Sequence, residues 1–210
     1  IWTQRALALR PMLEAIDQIR RLLVRNGLPS SDFDLNPEIK LPEERKLRAA
    51  AVLIPIIEKN GELHVILTMR SSALKHHPGQ IAFPGGKLDE SDKSLEDAAL
   101  REAFEEIGLP QAKVNVLGNL PTHETVTGFT VTPVVAHVTS DFDEVPEPGE
   151  VAEVFTVPLA FLTEPSNFQI EYRRWRGQKR YYYTIPYGPY YIWGATARML
   201  KMLNETLAAR

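Results

Sequence analysis

Three glutamates, Glu102, Glu105 and Glu106, stand three and four positions apart in the segment REAFEEIGL of residues 101–109. Residues at this spacing are neighbours on one side of a helix, where like charges repel each other. Mg²⁺ takes carboxylate oxygens as ligands and keeps water or phosphate oxygens in its other positions. The three carboxylates therefore indicate either a divalent metal site for phosphate chemistry or a solvated acidic helix face. Arg101, four residues before Glu105, can offset part of the charge.

The helix that carries these glutamates has clear limits in the sequence. Ser94 and Asp97 have the spacing of a capping box, which predicts that the helix begins at Leu95. Gly108 favours a left-handed stop and Pro110 cannot continue a helix, so the helix should end near Ile107. One apolar stripe recurs every three to four residues and should face the core: Leu95, Ala98, Ala99, Ala103 and Ile107.

Two features before this helix are candidates for phosphate binding. Pro84-Gly85-Gly86 predicts a turn whose backbone a phosphate or metal could approach closely, although two glycines are also common in plain turns. A short basic cluster precedes the turn and is interpreted either as a phosphate contact or as a solvated loop. Its members are Arg70, Lys75, His76 and His77.

Together these segments resemble the box of the Nudix hydrolases. Gly86 is followed after five residues by Asp92, and residues 101–109 fit the pattern REUXEEXGU. In the common pattern seven residues separate a glutamate from the arginine, whereas eight residues separate Asp92 from Arg101. Residues 67–86 resemble LLTXRSX3RX3GX3FPGG, the motif of the coenzyme A pyrophosphatase branch, with Lys75 where arginine is usual. Further similarity at residues 127–133, 150–153 and 192–197 extends the resemblance over most of the chain from about residue 49.

The resemblance implies an α/β/α sandwich with a mixed sheet and a hydrolase that depends on Mg²⁺ or Mn²⁺. It implies metal ligands at Glu102, Glu105, Glu106 and the carbonyl of Gly85. The reaction would cleave the pyrophosphate of coenzyme A or its derivatives into 4′-phosphopantetheine and adenosine 3′,5′-bisphosphate. Two alternatives stay open, namely hydrolysis of another nucleoside diphosphate derivative such as ADP-ribose, and a module that binds nucleotides without cleaving them.

Hydrolysis also requires a group that accepts a proton from water. The predicted catalytic residues are Glu105 and Glu150. Glu150 is the predicted base, because Nudix enzymes often take the base from a loop just before a later strand and Glu150 precedes Val151. Glu124, Glu147 and Glu153 are the alternatives.

Three residues of the segment 70–80 are predicted to contact the substrate. Arg70 and Lys75 are candidates for pairing with the 3′-phosphate of coenzyme A, which ADP-ribose lacks. Gln80 could hydrogen-bond an amide of the pantetheine arm or lie on the surface.

Composition narrows the class of protein. The chain has 210 residues, no cysteine and a net charge of −3, so thiol chemistry is excluded and no global attraction to nucleic acid or anionic membranes is expected. It has no apolar run near twenty residues and no signal-peptide pattern, from which we expect a cytoplasmic protein without a membrane partner.

The first 48 residues are predicted to form a helix and a connector, followed by a catalytic domain at residues 49–210. An amphipathic helix at residues 5–26 should pack on the domain or on a second copy of the chain, which leaves a homodimer open. Its apolar stripe comprises Leu9, Met12, Leu13, Ile16, Ile19, Leu22 and Leu23. Residues 29–42 are rich in Ser, Asp, Asn and Pro and read as the connector.

In the remaining chain, strands in two blocks with helices between and after them suggest a mixed sheet covered on both faces. Predicted strands lie at residues 49–57, 62–68, 114–120, 129–139, 151–159, 168–175 and 179–185. Asn60-Gly61 suits a tight hairpin turn, Arg176-Gly177 suits another, and a closing helix is expected at residues 194–209. Aromatic residues concentrate at residues 181–193 and are interpreted as core or subunit interface, with adenine stacking as the alternative.

Overall fold

The computed structural model describes residues 2–24, 27–39, 44–175 and 177–208, without the side chains of residues 2–11 and 175. Its helices are α1 (Trp2–Leu23), α2 (Leu95–Ile107), α3 (Leu159–Leu162) and α4 (Ala195–Ala208). Its strands are β1 (Ser30–Ser31), β2 (Arg48–Lys59), β3 (Glu62–Arg70), β4 (Ile81–Ala82), β5 (Gly85–Lys87), β6 (Val114–Asn119), β7 (His123–Glu124), β8 (Phe129–Val138), β9 (Val151–Pro158), β10 (Gln169–Trp175), β11 (Gln178–Tyr187) and β12 (Tyr190–Trp193). Outside the described residues lie Arg176 of the predicted turn, Ala209 of the predicted closing helix, and residues 25–26 and 40–42.

Within the described part of the chain, nine strands form one mixed sheet organised around β2. β2 pairs in parallel with β8 along one side, and on the other side it pairs antiparallel first with β5 and then with β3. β9 and β4 extend the sheet from β3, while β6, β7 and β1 extend it from β8. The remaining strands, β10 to β12, form a separate antiparallel sheet.

Both faces of the large sheet are covered by helices. Alternate residues of β2 point to opposite faces, as strand geometry requires. Leu53 belongs to the cluster that α2 completes with Ala98, Ala99 and Ala103. Ile54 belongs to the other cluster, which α1 and α4 complete with residues such as Ile19. This arrangement of layers confirms the predicted α/β/α sandwich with a mixed sheet.

The N-terminal helix and the connector pack against the rest of the chain. Ile16, Ile19 and Leu23 of α1 are buried in the core, whereas Leu13 of the predicted stripe is 53% exposed. The connector supplies β1, which pairs in parallel with β7. Asn36 donates its side-chain amide to the carbonyl of Tyr181 at 2.9 Å and accepts the Tyr181 amide at 2.7 Å. The predicted division of the chain at residue 48 stays a prediction.

Local signals in the sequence set the main boundaries. The predicted limits of α2 are confirmed, because Ser94 Oγ accepts the amide of Asp97 at 3.1 Å and Gly108 ends the helix with φ of 72°. Asn60 and Gly61 form the β2–β3 turn with positive φ. None of the described helices is long and apolar enough to cross a membrane.

The predicted turn at Pro84-Gly85-Gly86 is different in the structure. Gly85 and Gly86 begin strand β5 and pair with Val52 and Ala51 of β2. The glycines therefore serve a close approach of strands rather than a reversal of the chain, and this tertiary pairing overrides their local preference for turns.

The cap of α2 can be tested by Ser94→Ala. Loss of the hydroxyl leaves the Asp97 amide without its acceptor, which should lower the free energy of unfolding by about 1 kcal/mol. Urea denaturation measures the change, with Ser72→Ala, at an exposed serine, as the control. Equal midpoints for Ser94→Ala and Ser72→Ala would show that the cap contributes nothing.

Candidate active site

The carboxyl group of Glu106 is the most deeply buried acid of the predicted site. The residue is 5% exposed, and its Oε2 accepts the amide of Gly85 at 3.2 Å. Burial raises the pKa of Glu106 to about 8, and the charges of Glu102 and Glu150 act in the same direction. The Gly85 hydrogen bond and the charge of Arg70 lower the pKa but do not cancel the effect of burial. These groups are therefore close enough to interact.

The two glycines of β5 allow α2 to lie this close to the sheet. A Cβ on Gly86 would stand 2.3 Å from Glu102 Oε1, and a Cβ on Gly85 would stand 2.5 Å from the carbonyl oxygen of Ala51. Gly85 also has φ of 155°, a conformation that side chains rarely adopt. The bare backbone at these positions is thus a condition for seating Glu102 and Glu106 against the strand.

Arg101 organises the acids on the outer side of the site. Its Nε and Nη2 donate to the two carboxylate oxygens of Asp92 at 2.9 and 3.0 Å, and Nη1 donates to Glu102 and Glu105 at 3.0 Å each. These bonds lower the pKa of Asp92 and raise that of Arg101. The Asp92 side chain is only 4% exposed. Asp92 therefore holds the guanidinium of Arg101 in place.

Glu150 lies near the buried carboxylates. Its charge raises the pKa values of both Glu102 and Glu106, although burial is the largest cause for each. Three hydrogen bonds fix the loop between β8 and β9, which carries Glu150. The amide of Ser71 donates to the Glu150 carbonyl at 2.8 Å, and the amide of Glu147 donates to the Glu106 carbonyl at 2.9 Å. The amide of Glu150 donates to the Glu147 carboxylate at 2.9 Å. We call Glu102, Glu106 and Glu150 the glutamate cluster.

The alternative bases have partners elsewhere. Glu124 forms an ion pair with Arg45, and Glu153 accepts the hydroxyl of Tyr190 at 2.6 Å. The Glu147 carboxylate accepts amides of its own loop, including that of Glu150. Of the four candidates, Glu150 is the one whose charge acts on both Glu102 and Glu106.

The glutamate cluster has the chemistry of a site for a hard divalent cation. Among the described residues, no three His, Asp or Glu side chains are already arranged to hold a metal ion. Arg101 instead takes Glu102 Oε1 and Glu105 Oε2, and the Glu105 side chain is 55% exposed. Nevertheless, a buried carboxyl with a pKa near 8 beside two further acids is a donor set that a cation would stabilise in its ionised form. The residues therefore fit Mg²⁺ or Mn²⁺.

A cavity of about 330 Å³ opens beside the cluster. Arg70, Gln80 and Gly85 contribute to its lining, so two of the three predicted substrate contacts and the predicted carbonyl ligand border it. Lys75 is exposed and is not among the lining residues. The backbone ties these elements together, because the amide of Arg70 donates to the Gln80 carbonyl at 3.0 Å.

Two walls of this cavity were missed by the sequence analysis in whole or in part. One wall is the connector, through Asp32, Phe33, Asn36 and Ile39, and another is the small sheet, through Arg173, Arg180, Tyr181, Tyr182 and Trp193. The aromatic residues of the second wall belong to the segment 181–193, for which adenine stacking was the alternative interpretation. Its two arginines were not predicted, although a hairpin with its turn at residues 176–177 places them opposite each other. No local signal indicated the first. The aromatic residues of the segment 181–193 are therefore divided between the cavity wall and the core, since Tyr183, Tyr187 and Tyr190 pack against the core.

Comparison with known families agrees with this geometry. The model of the NUDIX domain matches residues 46–176, which include the whole glutamate cluster. The chain belongs to the Nudix family. It is therefore a Nudix hydrolase, a pyrophosphohydrolase.

Bacterial relatives extend the similarity beyond the domain model. The uncharacterized Nudix hydrolase NudL of Enterobacter sp. strain 638 is 41% identical over 157 residues, covering 74% of this chain and 81% of the relative. NudL of Pectobacterium atrosepticum is 40% identical over 187 residues, covering 86% and 95%. The NUDIX domain of Shewanella oneidensis NrtR, solved with ADP-ribose, is 17% identical with a TM-score of 0.50, covering 84% and 97%, and supports the fold.

The raised pKa of Glu106 predicts a pH dependence of stability in metal-free buffer. Below pH 4.5, the ordinary pKa of the group, the carboxyl is protonated in both the folded and the unfolded state, so its ionisation does not affect stability. Between pH 4.5 and about 8 the unfolded chain releases the proton while the folded protein keeps it, so stability falls as pH rises. The total fall should be on the order of 5 kcal/mol.

Urea unfolding with EDTA from pH 4 to 9 measures this effect. Glu106→Gln should lack the component of the fall that belongs to Glu106, whereas Glu105→Gln, at an exposed carboxyl of the same helix, should follow wild type. Parallel profiles for wild type and Glu106→Gln would refute the assignment.

Proposed function

We propose that this Nudix hydrolase cleaves the pyrophosphate bond of coenzyme A or its derivatives with the help of Mg²⁺ or Mn²⁺. The observation that carries the proposal is the position of the cavity. Arg70 and Gln80, which belong to the segment that resembles the coenzyme A motif, line a cavity that reaches Gly85 beside the glutamate cluster. A substrate that fills the cavity thus has its diphosphate near the acids.

Glu102, Glu106 and the carbonyl of Gly85 would hold the metal, with Glu105 joining from the exposed side of α2. The bound cation would neutralise phosphate charge and lower the pKa of water. Arg101 holds one oxygen each of Glu102 and Glu105, which fixes the direction of these side chains. The second oxygen of each carboxylate is outside these two bonds and is available as a ligand.

Hydrolysis adds one water to the diphosphate. The water oxygen forms a bond to one phosphorus, the bond from that phosphorus to the bridging oxygen breaks, and a proton passes from the water to a base. We assign the base to Glu150, since it approaches both Glu102 and Glu106 from a separate loop that is anchored to Ser71. The products of this hydrolysis from coenzyme A would be 4′-phosphopantetheine and adenosine 3′,5′-bisphosphate.

Arg70 is suited to the diphosphate itself. Its charge lowers the pKa of Glu106 and its residue lines the cavity, so the guanidinium lies near both the acids and the substrate space. A guanidinium can donate two parallel hydrogen bonds to phosphate oxygens. Gln80 is the neighbouring candidate for an amide of the pantetheine arm.

Glu150→Gln should slow turnover because the amide cannot accept the proton. The expected loss in kcat is roughly 10²- to 10⁴-fold, with little change in the concentration of Mg²⁺ needed for half-maximal rate. Glu144→Gln is the matched control, since Glu144 precedes Glu150 in the same segment and pairs with Lys59. Turnover by Glu150→Gln within a few-fold of wild type would remove Glu150 from this role.

Coenzyme A should have a higher kcat/KM than ADP-ribose, NADH and nucleoside triphosphates. Mass spectrometry of the products, with Mg²⁺, Mn²⁺ or EDTA, identifies both the cleaved bond and the metal requirement. The proposal expects about a ten- to hundredfold preference over ADP-ribose, the effect of one charge-assisted contact. A preference for ADP-ribose, or undiminished activity in EDTA, would refute it.

A further inference from the structure

The small sheet presents two arginines to the cavity. Arg173 of β10 and Arg180 of β11 are directly opposite each other in the antiparallel register, and both line the cavity. Directly opposite side chains project from the same face with Cβ atoms about 5 Å apart. Two guanidinium groups at this separation can both donate hydrogen bonds to one anion in the cavity.

The surroundings hold this pair in place. The guanidinium of Arg173 lies over the ring of Trp193, 4.7 Å from its centroid. The Trp193 ring in turn makes an edge contact with Tyr182 at 5.3 Å between centroids. Because both rings also line the cavity, the arginines are set in an aromatic wall. Such rings offer surfaces for a nucleobase next to the anion.

The charge of the cavity agrees with an anionic ligand. Among its described lining residues, Asp32 supplies the carboxylate, and its two oxygens are already bonded to His123 Nε2 at 3.1 Å and to the amide of Val126 at 2.8 Å. Arg70, Arg173 and Arg180 supply the cations, and Arg70 lies near Glu106 on the side of the glutamate cluster.

We propose that Arg173 and Arg180 form a binding site for a phosphate monoester on the nucleoside part of the substrate, separate from the diphosphate beside the glutamate cluster. This inference rests on the proposed function, in which coenzyme A supplies such a group as its 3′-phosphate. A phosphate monoester matches the fork geometry of guanidinium groups. The site would explain selectivity that the glutamates cannot provide, because they act on any diphosphate alike.

Binding measurements test the site without turnover. Calorimetry in EDTA should show that wild type binds adenosine 3′,5′-bisphosphate about ten- to a hundredfold more tightly than 5′-AMP. Arg173→Gln and Arg180→Gln should each reduce this ratio to a few-fold. Arg174→Gln is the matched control, because Arg174 is the neighbour of Arg173 in β10, is exposed and does not line the cavity. In the strand register it lies opposite Lys179. This variant should keep the full ratio, as should Lys75→Gln.

Equal affinities of wild type for the two nucleotides would overturn the proposal, and so would equal losses in Arg173→Gln and Arg174→Gln. Loss of the ratio in Lys75→Gln alone would assign the phosphate to the loop instead. If a glutamine variant does not fold, as judged by circular dichroism, Arg180→Lys and Arg173→Lys keep the charge without the fork and should lose part of the ratio. Unchanged ratios in both lysine variants would then overturn the proposal.

Steady-state rates separate this inference from the proposed function. Coenzyme A and dephospho-coenzyme A differ only in the 3′-phosphate, and wild type should prefer the former by a similar factor in kcat/KM. If both are cleaved equally well, the arginine site is refuted while the proposed function stands. If neither is cleaved but adenosine 3′,5′-bisphosphate still binds with the expected ratio, the proposed function fails and the phosphate site stands.

Discussion

The structure depends on the burial of one carboxyl group, that of Glu106, between α2 and β5. A buried carboxylate without a cation is costly, and the hydrogen bond from Gly85 compensates only part of that cost, since the pKa remains near 8. The same burial brings the Glu106 carboxyl near Glu102 and Glu150, the donor set to which we assign the divalent cation. The glycines of β5, the alanines of α2 and the ion pairs of Arg101 all serve to bring these acids against the sheet.

Arg101 connects the loop after β5 with two of the acids on α2. It fixes the loop after β5 through Asp92 and the carbonyl of Lys87, and it restrains Glu102 and Glu105 on its own helix. Bidentate pairing with a side chain that is 4% exposed is more specific in direction than a surface ion pair. The position of Asp92 is thus fixed by Arg101 from the helix, although the two residues are nine positions apart in the sequence.

The sequence predicted what depends on short spacing. Helix α2, its Ser94 cap and the neighbouring positions of Glu102, Glu105 and Glu106 follow from three- and four-residue intervals, and the mixed sheet followed from the two blocks of strands with helices between and after them. The role of Gly85 and Gly86 was only partly predictable, since their local preference is for a turn and their strand pairing is set by β2. Hydrogen bonds such as that between Asn36 and Tyr181 join residues 145 positions apart, and no local pattern indicates them.

The acids and the cavity wall come from different parts of the chain. The glutamate cluster lies within residues 46–176, the part shared across the family, whereas much of the cavity wall comes from residues before and after that segment. The connector is held in place by a chain of hydrogen bonds in which Ser30 Oγ meets His123 Nδ1 at 2.8 Å and Asp32 meets His123 Nε2 at 3.1 Å. Because His123 is fully buried on β7, the position of the connector is set by the same sheet against which α2 packs. The acids inside the family domain and the cavity wall outside it are thus connected through the same sheet, while different residues supply each, so a substitution in the wall can change substrate contacts without replacing an acid.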